Sequence, residues 1–153
     1  MLGWLGRMEV NIKSAPSLTA PSATAPLLDV VVVGGAGHVG LPLSLAFAEA
    51  GLRVGILDVA EDTLARIGGG EMPFLEPGAP ELLASALESG HLELSSLPEM
   101  LGRAERVVIV IGTPIDEFLN PSMTAIDRTI AQLAAHLRDG AVVGLLAGPH
   151  AAM

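Results

Sequence analysis

Residues 27–40 read LLDVVVVGGAGHVG. From Leu28 the chain runs through four consecutive valines and stops abruptly at Gly34-Gly35. A β-branched apolar run without polar alternation fits a strand covered on both faces, as in a parallel sheet. The next residues, Gly35-Ala36-Gly37-His38-Val39-Gly40, have the spacing G-x-G-x-x-G. Each glycine has a physical task in that spacing. Gly35 permits a tight turn, Gly37 lets backbone N–H groups approach a pyrophosphate, and Gly40 lets helix and strand pack closely. A helix opening at this point offers free N–H donors and the positive end of its dipole to an anion. No Gly-Lys-Ser/Thr follows, which excludes a P-loop.

Working outward, His38 to Ala50 reads as a helix with Val39, Leu43, Ala46 and Phe47 on its apolar face, Pro42 in its first turn and Gly51 as its stop. Leu52 to Asp58 is a second strand and Glu61 to Ile67 a short helix. Three prolines and a glycine make Glu71 to Pro80 a loop, and Pro80 opens a helix over Glu81 to Ser89. His91 to Leu94 is a short third strand, Leu97 to Arg103 a short helix, and Arg106 to Ile111 a fourth, buried strand. After the loop Ile115 to Pro121, Ser122 caps a helix to about Leu137 with Met123, Ile126, Ile130, Leu133 and Leu137 as its stripe. Ala141 to Leu146 is the fifth strand. The fold class that follows is α/β: a Rossmann-type doubly wound parallel sheet of about five strands with flanking helices.

The second strand ends in an acidic residue. Asp58 lies 18 residues beyond Gly40, near the spacing at which a carboxylate meets the adenosine ribose hydroxyls of a dinucleotide. A 2′-phosphate there would face it at a cost of roughly 4 kcal/mol for two unit charges 4 Å apart at an effective dielectric of 20. The following residues, Val59-Ala60-Glu61-Asp62, contain no base. The cofactor so indicated is NAD rather than NADP. The competing reading is a glycine-rich turn with an incidental acidic strand end. At the end of the fourth strand, Thr113 can hydrogen-bond the nicotinamide half of a cofactor or a substrate, and Gly112-Thr113-Pro114 reads equally as a plain strand terminus.

Composition bounds the rest. The 153 residues carry 8 basic against 17 acidic side chains, net −9, which excludes the basic surface that nucleic acid or an anionic membrane requires. Cysteine is absent, so there is no disulfide, thiolate metal site or cysteine nucleophile in this sequence. His91, His136 and His150 have no ligand spacing and read as surface or tail residues, and no metal site is expected. Asp116 and Glu117 are a candidate carboxylate pair or a solvated loop, the latter being the expectation. Residues 1–27, rich in small residues and proline, read as a disordered leader or a mis-assigned start. With neither a signal peptide nor an apolar run long enough to span a bilayer, the cytoplasm is the default location.

The strings GGAGHVGLPLSLAFAEAGLRVGILD, GGGEMPFLEPGAPELL and VVIVIGTPIDEFLNPSM together resemble the UDP-glucose/GDP-mannose dehydrogenase family, most nearly its UDP-N-acetyl-mannosamine branch. The likeness runs from about Leu28 to Val143. It implies an NAD-dependent oxidation of a UDP-sugar CH–OH group to the uronic acid. It implies that Gly35, Gly37, His38, Val39 and Gly40 line the pyrophosphate, that Asp58 holds the ribose and that Thr113 sits at the cofactor. It also implies that the loop Phe74-Leu75-Glu76-Pro77-Gly78 walls the active site.

Departures from the family pattern set further expectations. Thr63 stands about where the family often has a base. After the fifth strand the chain reads GLLAGPHAAM, without the family's arginine-serine-threonine-valine continuation. The organisation expected is a domain over residues 28–146 and a tail over 147–153, with the central helix, substrate domain and catalytic cysteine missing. Such a chain is expected to bind NAD without turning over and to self-associate through the edge of its sheet. The alternatives are a non-catalytic nucleotide-binding module, a frameshifted fragment, or another Rossmann dehydrogenase of the hydroxyacyl-CoA or 6-phosphogluconate type.

Overall fold

A computed structural model of the chain describes residues 27–113 and 123–149. Strand β1 is Val30–Val33, and all four valines are buried. Successive side chains of a strand point to opposite faces, and here both faces are covered. Val30 and Val32 belong to one apolar cluster, Val31 and Val33 to another.

Helix α1 (Gly40–Glu49) returns the chain to β2 (Val54–Leu57). Helices α2 (Glu61–Gly68) and α3 (Ala79–Ser89) lead to β3 (Leu92–Ser95). A 3₁₀ segment, Pro98–Arg103, precedes β4 (Arg106–Thr113). Helix α4 (Met123–Ala134) connects to β5 (Val142–Pro149). The five strands lie in the order β3-β2-β1-β4-β5, and every pair is parallel. Helices α1, α2 and α3 cover one face, with Leu41, Leu45, Leu64, Ile67 and Leu83 in its core. The 3₁₀ segment and α4 cover the other, with Met100, Leu101 and Leu133. This is the doubly wound Rossmann architecture, and strand order reverses between β1 and β4.

Several expected details are corrected. The inner face of α1 is Gly40, Leu41, Ser44, Leu45 and Ala48, not Val39, Leu43, Ala46 and Phe47. Leu43 and Phe47 are half-buried, Ala46 is exposed and Val39 is 57% exposed. The helix is apolar on most sides, so composition did not reveal which stripe meets the sheet. Small residues decide it: Gly40, Ser44 and Ala48 allow close approach, and the Ser44 hydroxyl is satisfied by donating to the Gly40 carbonyl at 2.7 Å. The helix opens at Gly40 rather than His38, and α3 opens one residue before Pro80, after Gly78 at φ 78°.

On α4, Met123 is 59% exposed while Thr129 is buried between Ile126 and Leu133. The helix stops before Leu137 because its end tightens: the amides of His136 and Leu137 donate to the carbonyls of Leu133 and Ala134. Leu137 still packs on the second cluster. Strand β4 extends to Thr113 and β5 to Pro149, in register with each other throughout. His91 and His136, expected at the surface, are half-buried. The leader up to residue 26, the loop Ile115 to Pro121 with Asp116 and Glu117, Ser122, and the segment from His150 lie outside the described residues.

Candidate functional site

The carboxyl ends of the strands bring the expected residues to one edge of the sheet. The turn after β1 is locked by Gly34, whose φ is +81°. Its amide donates to the Leu57 carbonyl at 2.8 Å. A Cβ there would lie 2.0 Å from the Val110 carbonyl oxygen of β4. The tight conformation expected of Gly35 therefore belongs to Gly34. Gly35 is needed for packing, because its Cβ would meet Ile56 Cγ2 at 2.8 Å and the Val32 oxygen at 2.9 Å. Gly40 is demanded by close packing, its Cβ falling 2.2 Å from the Gly34 oxygen.

Gly37 differs. Its φ is not positive, and the nearest atom to a Cβ would be the Gly34 oxygen at an ordinary 3.5 Å. Nothing inside the fold requires glycine there. Gly37, His38 and Val39 are all exposed. Among the described residues, the amides of His38, Val39 and Gly40 have no hydrogen-bond partner. Helix α1 has no side-chain N-cap and no acidic residue in its first turn. Unpaired amides, a helix dipole and a first helical turn free of acidic residues make this turn competent to hold an anion.

Asp58, just beyond β2, is half-buried. Its Oδ2 accepts the Ala36 amide at 3.0 Å and its Oδ1 the Ala60 amide at 3.1 Å. The carboxylate thus braces the glycine turn against the start of α2. Each carboxylate oxygen retains a further lone pair for hydroxyl donors. The Asp58 amide donates to the Ser95 carbonyl at 3.1 Å. Buried Ser96 donates to Glu61 Oε1 at 3.0 Å, fixing a second carboxylate at the start of α2. Thr113 ends β4, four residues past the partner of Val33 and so on the same edge as the turn.

The loop between α2 and α3 also reaches this edge. The Phe74 ring stacks on His38, centroids 4.2 Å apart and planes inclined by 24°. Its neighbour Leu75 is completely exposed. Arg66 and Glu71 pair at 2.6 Å at the root of the loop. Their hydrogen bond, then their charge attraction, raises the guanidinium pKa and holds the Glu71 carboxyl below its ordinary value.

Sequence reasoning missed three participants: Gly34, the Ser96–Glu61 pair and the Phe74 stack. The Gly34-Gly35 doublet is a visible signal, but the close approach of Val110 to Gly34 comes from β4, far along the chain. Cavities of about 260 and 90 Å³ lie at the opposite edge of the sheet, the larger bordered by Glu105, Arg106, Arg138 and Asp139. Its charges are balanced, and none of the residues above borders either. Among the described residues there is no metal-ligating cluster and no helix long and apolar enough to cross a membrane.

Comparison with known proteins adds to this geometry. Residues 29–145 match the model of the UDP-glucose/GDP-mannose dehydrogenase family, NAD binding domain. UDP-glucose 6-dehydrogenase of Pseudomonas aeruginosa is 37% identical over 110 residues, covering 71% of this chain and 24% of the relative. UDP-N-acetyl-D-mannosamine dehydrogenase of Escherichia coli is 30% identical over 113 residues, covering 74% and 26%. The solved UDP-N-acetyl-mannosamine dehydrogenase of Staphylococcus aureus superimposes with a TM-score of 0.69 at 27% identity, over 79% of this chain and 29% of that one. The chain spans about a quarter of the length of the curated relatives it matches.

Proposed function

The chain belongs to the UDP-glucose/GDP-mannose dehydrogenase family through its NAD-binding domain, and from that premise we propose which residues hold the cofactor. Gly35, Gly37, His38, Val39 and Gly40 cradle the pyrophosphate, chiefly through backbone amides. Asp58 accepts the adenosine ribose hydroxyls while bracing the turn, and Thr113 meets the nicotinamide side. The observation that carries this reading is the set of unpartnered amides at the uncapped start of α1, beside a glycine that the fold itself does not require. Bound NAD would supply the hydride acceptor, and these residues bind and orient it.

In this reading the domain serves the oxidation of a UDP-sugar alcohol to the uronic acid by a family-length enzyme in the cytoplasm. None of the 153 residues is assigned a catalytic role. Hydride transfer requires a sugar held against the nicotinamide, and forgoing that orientation forgoes several kcal/mol. The family's second oxidation proceeds through a cysteine, and this sequence has none. We also assign self-pairing to the outer edge of β5.

Titration of the purified chain with NADH and NADPH by fluorescence tests the cofactor assignment. Asp58 is half-exposed, so solvent screening reduces the charge penalty against a 2′-phosphate to about 1–2 kcal/mol, or a preference for NADH of about tenfold. Equal affinities would overturn the role of Asp58. Failure of both to bind would overturn the assignment of the turn.

A further inference from the structure

We propose that Phe74 is a positioning residue for the cofactor turn, holding the His38 ring clear of the amides of His38, Val39 and Gly40. The inference rests on the reading of that turn as the pyrophosphate cradle. His38 is in the middle of the turn and exposed, and its own amide is one of the three that lack a partner among the described residues. An imidazole on such a residue samples several rotamers. Some of these place it over the mouth of the turn, and a bound dinucleotide would have to exclude them at an entropic cost.

Phe74 removes that freedom. It is half-buried and packs, with Met72, against the cluster formed by β1, β2, α1, α2 and α3. From that anchored position its ring stacks on His38 at 4.2 Å and 24°. The geometry is a stacked aromatic contact of the kind that stabilises beyond simple burial. One end of the contact is fixed in the core and the other lies at the cofactor turn, so the turn is organised before ligand arrives. Leu75 beside it is completely exposed and takes no part in this anchoring.

Replacement by an aliphatic residue separates the ring from its apolar anchoring. Phe74→Leu keeps a side chain for the core but removes the stack, and NADH affinity should fall by about two- to tenfold. Phe74→Tyr keeps the stack and should bind as the parent does. The critical measurement is suppression. In the Phe74→Leu background, His38→Ala removes the ring that needed holding, so the double variant should bind NADH more tightly than Phe74→Leu alone. A purely structural role for Phe74 predicts no such rescue. In proton NMR spectra, the His38 ring signals should be displaced by the Phe74 ring current in the parent and in Phe74→Tyr, and should relax toward free-histidine positions in Phe74→Leu. Phe74→Met repeats the series if the leucine variant does not fold. Unchanged affinity in the aliphatic variant, or absence of suppression, overturns the proposal. If the parent chain binds no NADH, the reading of the turn fails first, and the His38 spectra still report whether the stack exists.

Discussion

Two glycines three residues apart illustrate how constraint from the fold differs from constraint by a ligand. At Gly34 an added methyl meets the Val110 carbonyl oxygen at 2.0 Å, and φ is +81°. Gly34→Ala must move β4 away from β1 and also pay left-handed strain, a loss of about 3 kcal/mol or more. Chemical denaturation should show it as a large fall in midpoint or as failure to fold. At Gly37 the surroundings are open, so Gly37→Val should leave the thermal midpoint within a few degrees while abolishing NADH binding. Normal binding by that variant would remove the pyrophosphate from this turn. Asp58 falls between these cases. Because its oxygens already accept the Ala36 and Ala60 amides, Asp58→Ala should both weaken NADH and loosen the turn, and its melting curve has to accompany its titration. The glycine spacing and the acidic strand end were legible in the sequence because they are local. Gly34 and the His38–Phe74 stack were not, because each depends on a partner brought from a distant part of the chain.

The elements were legible in proportion to how one-sided their chemistry is. Val30–Val33 and the apolar part of Arg106 to Ile111 are β-branched runs, which fit a strand packed on both faces; in β4 Val107 and Ile109 are buried while Val108, Val110 and Ile111 are half-buried. Helix α1 carries Leu41, Leu43, Leu45, Ala46, Phe47 and Ala48 in eight residues, so the 3.6-residue period has little contrast. Its orientation is set from outside, by the contact of Gly40 with Gly34 and Gly35. That contact fixes the rotation about the helix axis and turns Leu41 and Leu45 to the sheet, at 0% and 1% exposure. Truncation reads this rotation directly. Leu45→Ala should cost about 2–5 kcal/mol, as buried leucines do, whereas Leu43→Ala, half-buried on the flank, should cost about 1 kcal/mol or less. Urea denaturation of both variants checks the difference, and equal losses would mean that α1 is rotated from the orientation described. Helix α4 shows a related effect. Thr129 occupies an inner position that a hydrophobic stripe cannot announce, and Met123, nominally on the stripe, is in solvent because the helix has only begun there.

At the scale of the whole molecule the sheet is asymmetric. On one side β3 is a short edge strand whose Glu93 is paired with Arg103 of the 3₁₀ segment. On the other, β5 offers an eight-residue edge with no partner beyond it among the described residues. Val142, Val143, Leu145 and Leu146 are 66%, 43%, 47% and 49% exposed. Because alternate residues face opposite ways, both faces of the strand over Val142 to Leu146 are open to solvent as well as its edge. No charged residue occurs between Gly140 and Pro149, so the usual guards of a free edge, lysine or an inward charge, are missing. A second copy satisfies such an edge simply, since two β5 strands related by a twofold axis pair antiparallel and extend the sheet across the interface. The opposing force is the net charge of −9 on each chain, which salt screens over about 10 Å at 0.1 M. Self-association of the 153-residue chain should therefore rise with protein concentration and also with added salt, the reverse of an assembly held by ion pairs. Val143→Lys places a charge on the exposed strand at little cost to the fold and should return the chain to a monomer. Sedimentation velocity over a wide range of concentrations, at low and high salt, reads each of these outcomes. A parent chain that stays monomeric throughout, or a lysine variant that associates as strongly as the parent, would show that β5 is not the contact.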